Sequence, residues 1–97
     1  MDKKITKVII SDFAEKQLKR VPNEIREALK EWIELVKKLG LIEARIQGGK
    51  GLHDEPLKGH LKGQRSIRLS KSWRAYYKVT EQDTIEVTVL RVDKHKY

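Results

Sequence analysis

Apolar side chains recur every three or four residues through the first half of the chain and every second residue through its last third. Ile5 to Ile10 is rich in β-branched residues and too short for a helix, so it predicts a strand. Ser11 or Asp12 then caps a helix, with Asp12 and Glu15 at the spacing of a capping box. That helix carries Phe13, Ala14 and Leu18 and ends near Val21-Pro22. A second helix starts at Asn23. Along it Ile25, Ala28, Leu29, Trp32, Ile33, Val36 and Leu39 form one apolar stripe, and Gly40 supplies its C-cap. The opposite face, with Glu27, Lys30, Glu31 and Glu34, has the pattern of a solvated surface.

Gly48, Gly49, Gly51, Gly59 and Gly63, with Pro56, predict an extended, irregular connection from Gly48 to Gly63. Three strands follow. In Ser66 to Leu69, Ile67 and Leu69 alternate with Ser66 and Arg68. In Trp73 to Thr80, Trp73, Ala75, Tyr77 and Val79 share one face, and Arg74, Tyr76 and Lys78 the other. In Ile85 to Val92, Ile85, Val87 and Val89 oppose Glu86, Thr88, Leu90 and Val92; Arg91 joins the first set if the alternation holds to the strand's end. Lys71-Ser72 and Gln82-Asp83 are the candidate hairpin turns. The expectation is a single α+β domain over residues 1–97. It has an N-terminal strand, a helical hairpin and a three-stranded antiparallel meander, with the helices on one face of the sheet.

Composition narrows the function classes. The chain has 97 residues, 38% hydrophobic and 37% charged, with no cysteine, so disulfides, a thiol nucleophile and thiolate metal sites are excluded. No apolar run is long enough to span a membrane, and Met1-Asp2-Lys3-Lys4 lacks the core of a signal peptide. A cytoplasmic protein follows by elimination. Residues 1 to 43 hold ten Lys/Arg against eight Asp/Glu, whereas residues 44 to 97 hold twelve against six, within a net charge of +8. The excess in the second half marks a surface that attracts polyanions.

Phosphate-loop and serine-triad patterns are missing, and His53, His60 and His95 are too scattered for a metal site, so neither cofactor nor metal is expected. What remains is a polar set in the basic half: His53, Asp54, Glu55, Lys58, Lys62, Arg65, Arg68, Arg74 and the terminal Lys94-His95-Lys96-Tyr97. Arg68 and Arg74 fall on the polar faces of strands joined through Lys71-Ser72, where their guanidinium groups can approach each other. Two like charges there cost energy unless an anion such as phosphate lies between them; otherwise both are simply exposed. Glu55 is held extended by Pro56 and is either an ion-pair partner or a base. His95 is either a surface residue or a proton donor, and Tyr97 either stacks on a base or ends the chain.

The run His53-Asp54-Glu55-Pro56-Leu57-Lys58-Gly59, continued through Lys62-Gly63-Gln64-Arg65-Ser66-Ile67-Arg68-Leu69 to Trp73-Arg74-Ala75-Tyr76-Tyr77, resembles the RelE/YoeB toxin family. The closing His95-Lys96-Tyr97 resembles that family's C-terminal histidine and tyrosine, with Lys96 standing between residues that the YoeB branch has adjacent. The resemblance is specific over residues 53 to 77 and extends to element order over the whole chain.

It implies a RelE-like fold and a toxin of a type II toxin–antitoxin system that cleaves mRNA in the ribosomal A site. The RNA 2′-hydroxyl attacks the neighbouring phosphodiester, so the chemistry requires neither metal nor activated water. By this resemblance Glu55 is the general base, Arg74 stabilises the phosphorane, and Lys58 and Arg68 assist. His95 protonates the leaving oxygen, and Tyr97 orients or stacks on a base. Lys62, Arg65 and Lys94 extend the RNA-binding surface, and His53 and Asp54 are lesser candidates. The implied partners are a cognate antitoxin with an acidic amphipathic segment, mRNA and the ribosome with its 16S rRNA. Two rivals share the composition: a ParE-like poison of DNA gyrase, and a non-catalytic RNA- or ribosome-binding module.

Overall fold

The computed structural model describes residues 5–81 and 85–94. In chain order it contains β1 (Lys7–Ile10), α1 (Asp12–Leu18), α2 (Asn23–Leu39), α3 (Leu41–Leu52) and β2 (Glu55–Pro56). A single 3₁₀ turn (Gly59–Leu61) leads into β3 (Gln64–Arg68), β4 (Trp73–Glu81) and β5 (Ile85–Lys94). The expected α+β architecture is present, with one helix and one strand more than the pattern predicted. The proposed turn at Gln82-Asp83 lies outside the described residues.

Ser11 rather than Asp12 caps α1. Its hydroxyl oxygen accepts from the Ala14 N–H at 3.1 Å and donates to the Leu90 carbonyl at 2.9 Å. Gly40 ends α2 and starts α3 at φ 88°, a left-handed backbone that glycine reaches without strain. The chain therefore turns into a third helix, whose last residues, Gly48 to Leu52, replace the start of the irregular connection expected there. Leu41 and Ala44 are buried on α3, and their packing outweighs the poor helix propensity of Gly48, Gly49 and Gly51. Only residues 53–63 remain of the predicted irregular connection, and they include β2.

The sheet runs β1-β5-β4-β3-β2. β1 is parallel to β5, and β2 through β5 are antiparallel neighbours, so the expected meander gains one short strand at its edge. β1 pairs only with residues 86–89 of β5. The remaining edge of β5 is met by α1, whose Gln17 carbonyl accepts the Val92 N–H at 2.6 Å while its amide donates to Asp93 Oδ1 at 2.9 Å. Ile25, Leu29, Trp32 and Val36 of α2, with Leu41 and Ala44 of α3, pack against Ile67, Ala75, Tyr77, Val89 and Val92 of the sheet. The Trp32 and Tyr77 rings lie 5.1 Å apart at 45°.

One strand departs from its predicted faces. A bulge opposite Tyr76/Tyr77 makes Tyr76 pair with Arg91 and Tyr77 with Val89, so Leu90 is the extra residue. Beyond it the alternation inverts: Val92 is buried, and Arg91 lies on the far side of the sheet from the helices.

Candidate active site

Register arranges the polar residues in rows on the face away from the core. Glu55, Ser66, Tyr76 and Arg91 are successive cross-strand partners over β2 to β5, and Arg68, Arg74 and Asp93 form the next row. Arg68 and Arg74 are thus directly opposed, as the hairpin about Lys71-Ser72 predicts. Ser66 is buried between Glu55 and Tyr76; being small, it leaves room for Glu55 and Arg74 to meet above it.

They do meet. Glu55 Oε1 lies 3.9 Å from Arg74 Nη1, and Glu55 Oε2 lies 3.6 Å from His53 Nε2. The Arg74 side chain is 13% exposed against 49% for Glu55, and its Nη1 is buried without a hydrogen-bond partner. Only Trp32 Nε1 shares that condition among the described residues. A guanidinium N–H left unsatisfied away from water is costly, and an anion is the partner its geometry fits. His53 sits at the C-cap of α3 with φ 48°, left-handed for a non-glycine residue, which brings its half-exposed ring back to Glu55. Beside this pair, Arg91 stacks over the Tyr76 ring at 4.1 Å and is fixed by Asp93 Oδ2 at 3.3 Å.

Asp54 and Arg65 are engaged with each other instead. The Asp54 side chain is 5% exposed; Oδ1 takes Arg65 Nε at 2.6 Å, and Oδ2 takes the Tyr77 hydroxyl at 2.6 Å and faces Arg45 Nε at 3.4 Å. Register explains the split, since Arg65 and Tyr77 are partners on the core side of the sheet while Glu55 and Ser66 are partners on the other. Arg45, which no sequence motif singled out, enters from α3 and also donates to the Tyr77 hydroxyl at 3.2 Å. Burial opposes the Arg65 charge, but the hydrogen bond and charge of Asp54 outweigh it, and the Arg65 pKa is raised.

Burial, then the hydrogen bond to Asp54, pushes the Tyr77 hydroxyl up to about 12 from an ordinary 10. A phenol that keeps its proton longer in the folded than in the unfolded chain contributes stability that is complete below pH 10. This contribution is lost as pH rises towards 12, amounting to about 2–3 kcal/mol. Urea unfolding at pH 9 and pH 11.5 tests this: the stability gap between the native chain and Tyr77→Phe is expected to shrink over that interval.

Three further described candidates are not part of the Glu55–Arg74 ion pair. Lys58 and Lys62 are exposed at the two ends of the 3₁₀ turn. Lys94 is exposed at the end of β5, opposite Trp73 on the helix-facing side. His95 and Tyr97 lie outside the described residues. Among the described residues no group of three or more histidine or acidic side chains could hold a metal ion, and no helix is long and apolar enough to cross a membrane.

The profile of a family described as "ParE toxin of type II toxin-antitoxin system, parDE" matches residues 8–96. No curated protein matches the chain significantly. The fold is similar to that of a YoeB/ParE toxin from Agrobacterium tumefaciens, at 19% identity over 93% of this chain and 99% of that one, with a TM-score of 0.68. It is similar to a chain of the toxin–antitoxin complex RelBE2 from Mycobacterium tuberculosis, at 25% identity over 98% of each, with a TM-score of 0.68. It also matches YafQ from E. coli strain BL21(DE3), at 21% identity over 90% of each, with a TM-score of 0.66.

Proposed function

The chain belongs to the ParE toxin family of type II toxin–antitoxin systems, within the RelE/ParE superfamily, and we propose that it is an endoribonuclease that cleaves mRNA on the ribosome. One observation carries this reading: a carboxylate, Glu55, stands 3.9 Å from a buried guanidinium nitrogen of Arg74 that makes no hydrogen bond. A base beside an unsatisfied cationic donor, with Arg68 opposite in the sheet, is the set that a scissile phosphate and its neighbouring 2′-hydroxyl need.

In the reaction Glu55 takes the 2′-hydroxyl proton as the oxygen attacks phosphorus. Arg74 holds the charge that develops on the phosphoryl oxygens, and by resemblance Lys58 and Arg68 assist. The bond to the 5′-oxygen breaks, leaving a 2′,3′-cyclic phosphate and a 5′-hydroxyl. By resemblance His95 supplies the proton to that oxygen and Tyr97 orients the base. Lys62 adds exposed positive charge at the end of the 3₁₀ turn, whereas Lys94 lies on the helix-facing side of the sheet and drops out of the RNA-facing set. Asp54 and Arg65 hold each other and drop out of the RNA-facing set. The chemistry has no step that calls for a metal. A complex such as RelBE2 supports a cognate antitoxin as the regulating partner, and an acidic segment suits this basic surface. On this reading messenger RNA and the ribosome, with its 16S rRNA, are the targets, and the protein acts in the cytoplasm.

The family's description favours one rival, a ParE-like poison of DNA gyrase, which has no use for a base beside a guanidinium. Mapping of 5′ ends after brief induction, beside Glu55→Ala and Arg74→Ala, separates the two. New 5′-hydroxyl ends inside translated codons, lost in both variants, are the expected result. Growth arrest without new RNA ends sinks the nuclease reading; accompanying DNA breaks point to gyrase. Ribosome binding without cleavage points to a non-catalytic module.

A further inference from the structure

Little in its own strand holds Glu55. β2 is two residues long, one of them a proline that has no N–H for a ladder, and the Glu55 side chain is half exposed. The residue before it has the opposite character. The Asp54 side chain is almost fully buried and clamped by three groups from three elements: Arg65 on β3, Tyr77 on β4 and Arg45 on α3. Consecutive residues of an extended chain point to opposite faces. Fixing the Asp54 side chain below the sheet therefore fixes where Glu55 leaves it above.

A buried ionic cluster is an inefficient way to stabilise a core, since apolar residues of similar volume do as well or better. It is a good way to fix one backbone position, because two bonds of 2.6 Å in different directions tolerate little movement. We propose that Asp54 is a positioning residue for Glu55, and that its clamp sets the distance from Glu55 to Arg74. The kinetic consequence rests on the nuclease reading; the geometric one does not.

The test is Tyr77→Phe, which removes one hydroxyl donor to Asp54, and with it one acceptor of Arg45, while leaving the contacts of both arginines with Asp54 and the ring beside Trp32. It is read by NMR relaxation of the Glu55 amide and by single-turnover cleavage of RNA on ribosomes. Expected are a fall of the Glu55 order parameter from about 0.85 towards 0.6 and a loss of about tenfold in kcat with KM little changed. No further loss is expected when Tyr77→Phe is added to Glu55→Gln, because the clamp acts through Glu55. Ile25→Val, a core change remote from the clamp, controls for general destabilisation and leaves both readouts at their native values. An unchanged Glu55 order parameter overturns the proposal. So does an unchanged kcat in an active protein, or a loss that persists undiminished in the Glu55→Gln background. If the native chain cuts no RNA, the nuclease reading fails alone, and the relaxation measurement still decides the clamp.

Discussion

Asp54→Ala is expected to lower the unfolding free energy by about 3–5 kcal/mol, a large part of what a domain of this size has. The loss comes from what the carboxylate leaves behind more than from the bonds it makes. Arg45 and Arg65 would face each other with no intervening anion, and the Tyr77 hydroxyl, fully buried, would lose the acceptor it now reaches at 2.6 Å. Exposed pairs such as Lys37 with Glu34 contribute little by comparison, and Glu34→Ala is expected to stay within about 0.5 kcal/mol of the native value. Removing the whole cluster together, as Arg45→Met, Asp54→Leu, Arg65→Met and Tyr77→Phe, is expected to restore most of the loss, because no buried charge is then left unpaired. Urea unfolding of the three proteins checks this. A quadruple variant no better than Asp54→Ala would mean that the ionic contacts themselves, and not their pairing, hold this part of the chain.

This clamp was the part of the molecule least legible in the sequence. The alternation of β3 and β4 was plain, since Ile67, Ala75 and Tyr77 are buried as their spacing requires and Arg68 meets Arg74 across the hairpin. The apolar stripe of α2 and its end at Gly40 were equally readable. Three features were not, each for a physical reason. α3 hides behind its glycines; Gly48 carries a sequence signal for a loop, yet its missing side chain gives Leu52 room to lie over the helix. The bulge at Leu90 has no marker residue, and it turns Arg91 from the expected core side to the Tyr76 ring. Asp54 and Arg65 read as polar residues in a basic run, so nothing local distinguished them from Glu55 and Arg68. Only cross-strand register, with Arg65 opposite Tyr77 and Glu55 opposite Ser66, puts one pair under the sheet and the other over it. Parity along a single strand predicts faces well; the pairing of strands distant in sequence decides which faces form a site.

Arg74→Ala is expected to separate activity from stability in the other direction. Its Nη1 is buried, makes no hydrogen bond and stands 3.9 Å from Glu55, too far for the close contact that would offset its desolvation. Truncating it therefore removes an uncompensated cost, and the unfolding free energy is expected to be unchanged or slightly raised. RNA cleavage is expected to fall by about 10²–10³ in kcat, the usual consequence of deleting a preorganised donor to a developing oxyanion. Arg74→Lys sharpens the argument. It keeps the positive charge but replaces the planar fork by a single ammonium, so its rate should fall nearer to that of Arg74→Ala than to the native value. Single-turnover cleavage on programmed ribosomes, paired with urea unfolding of the same preparations, reads both quantities. A variant that loses stability in step with activity would identify Arg74 as a structural partner of Glu55. A group that weakens the fold and strengthens the reaction is one whose environment suits the transition state better than the resting protein.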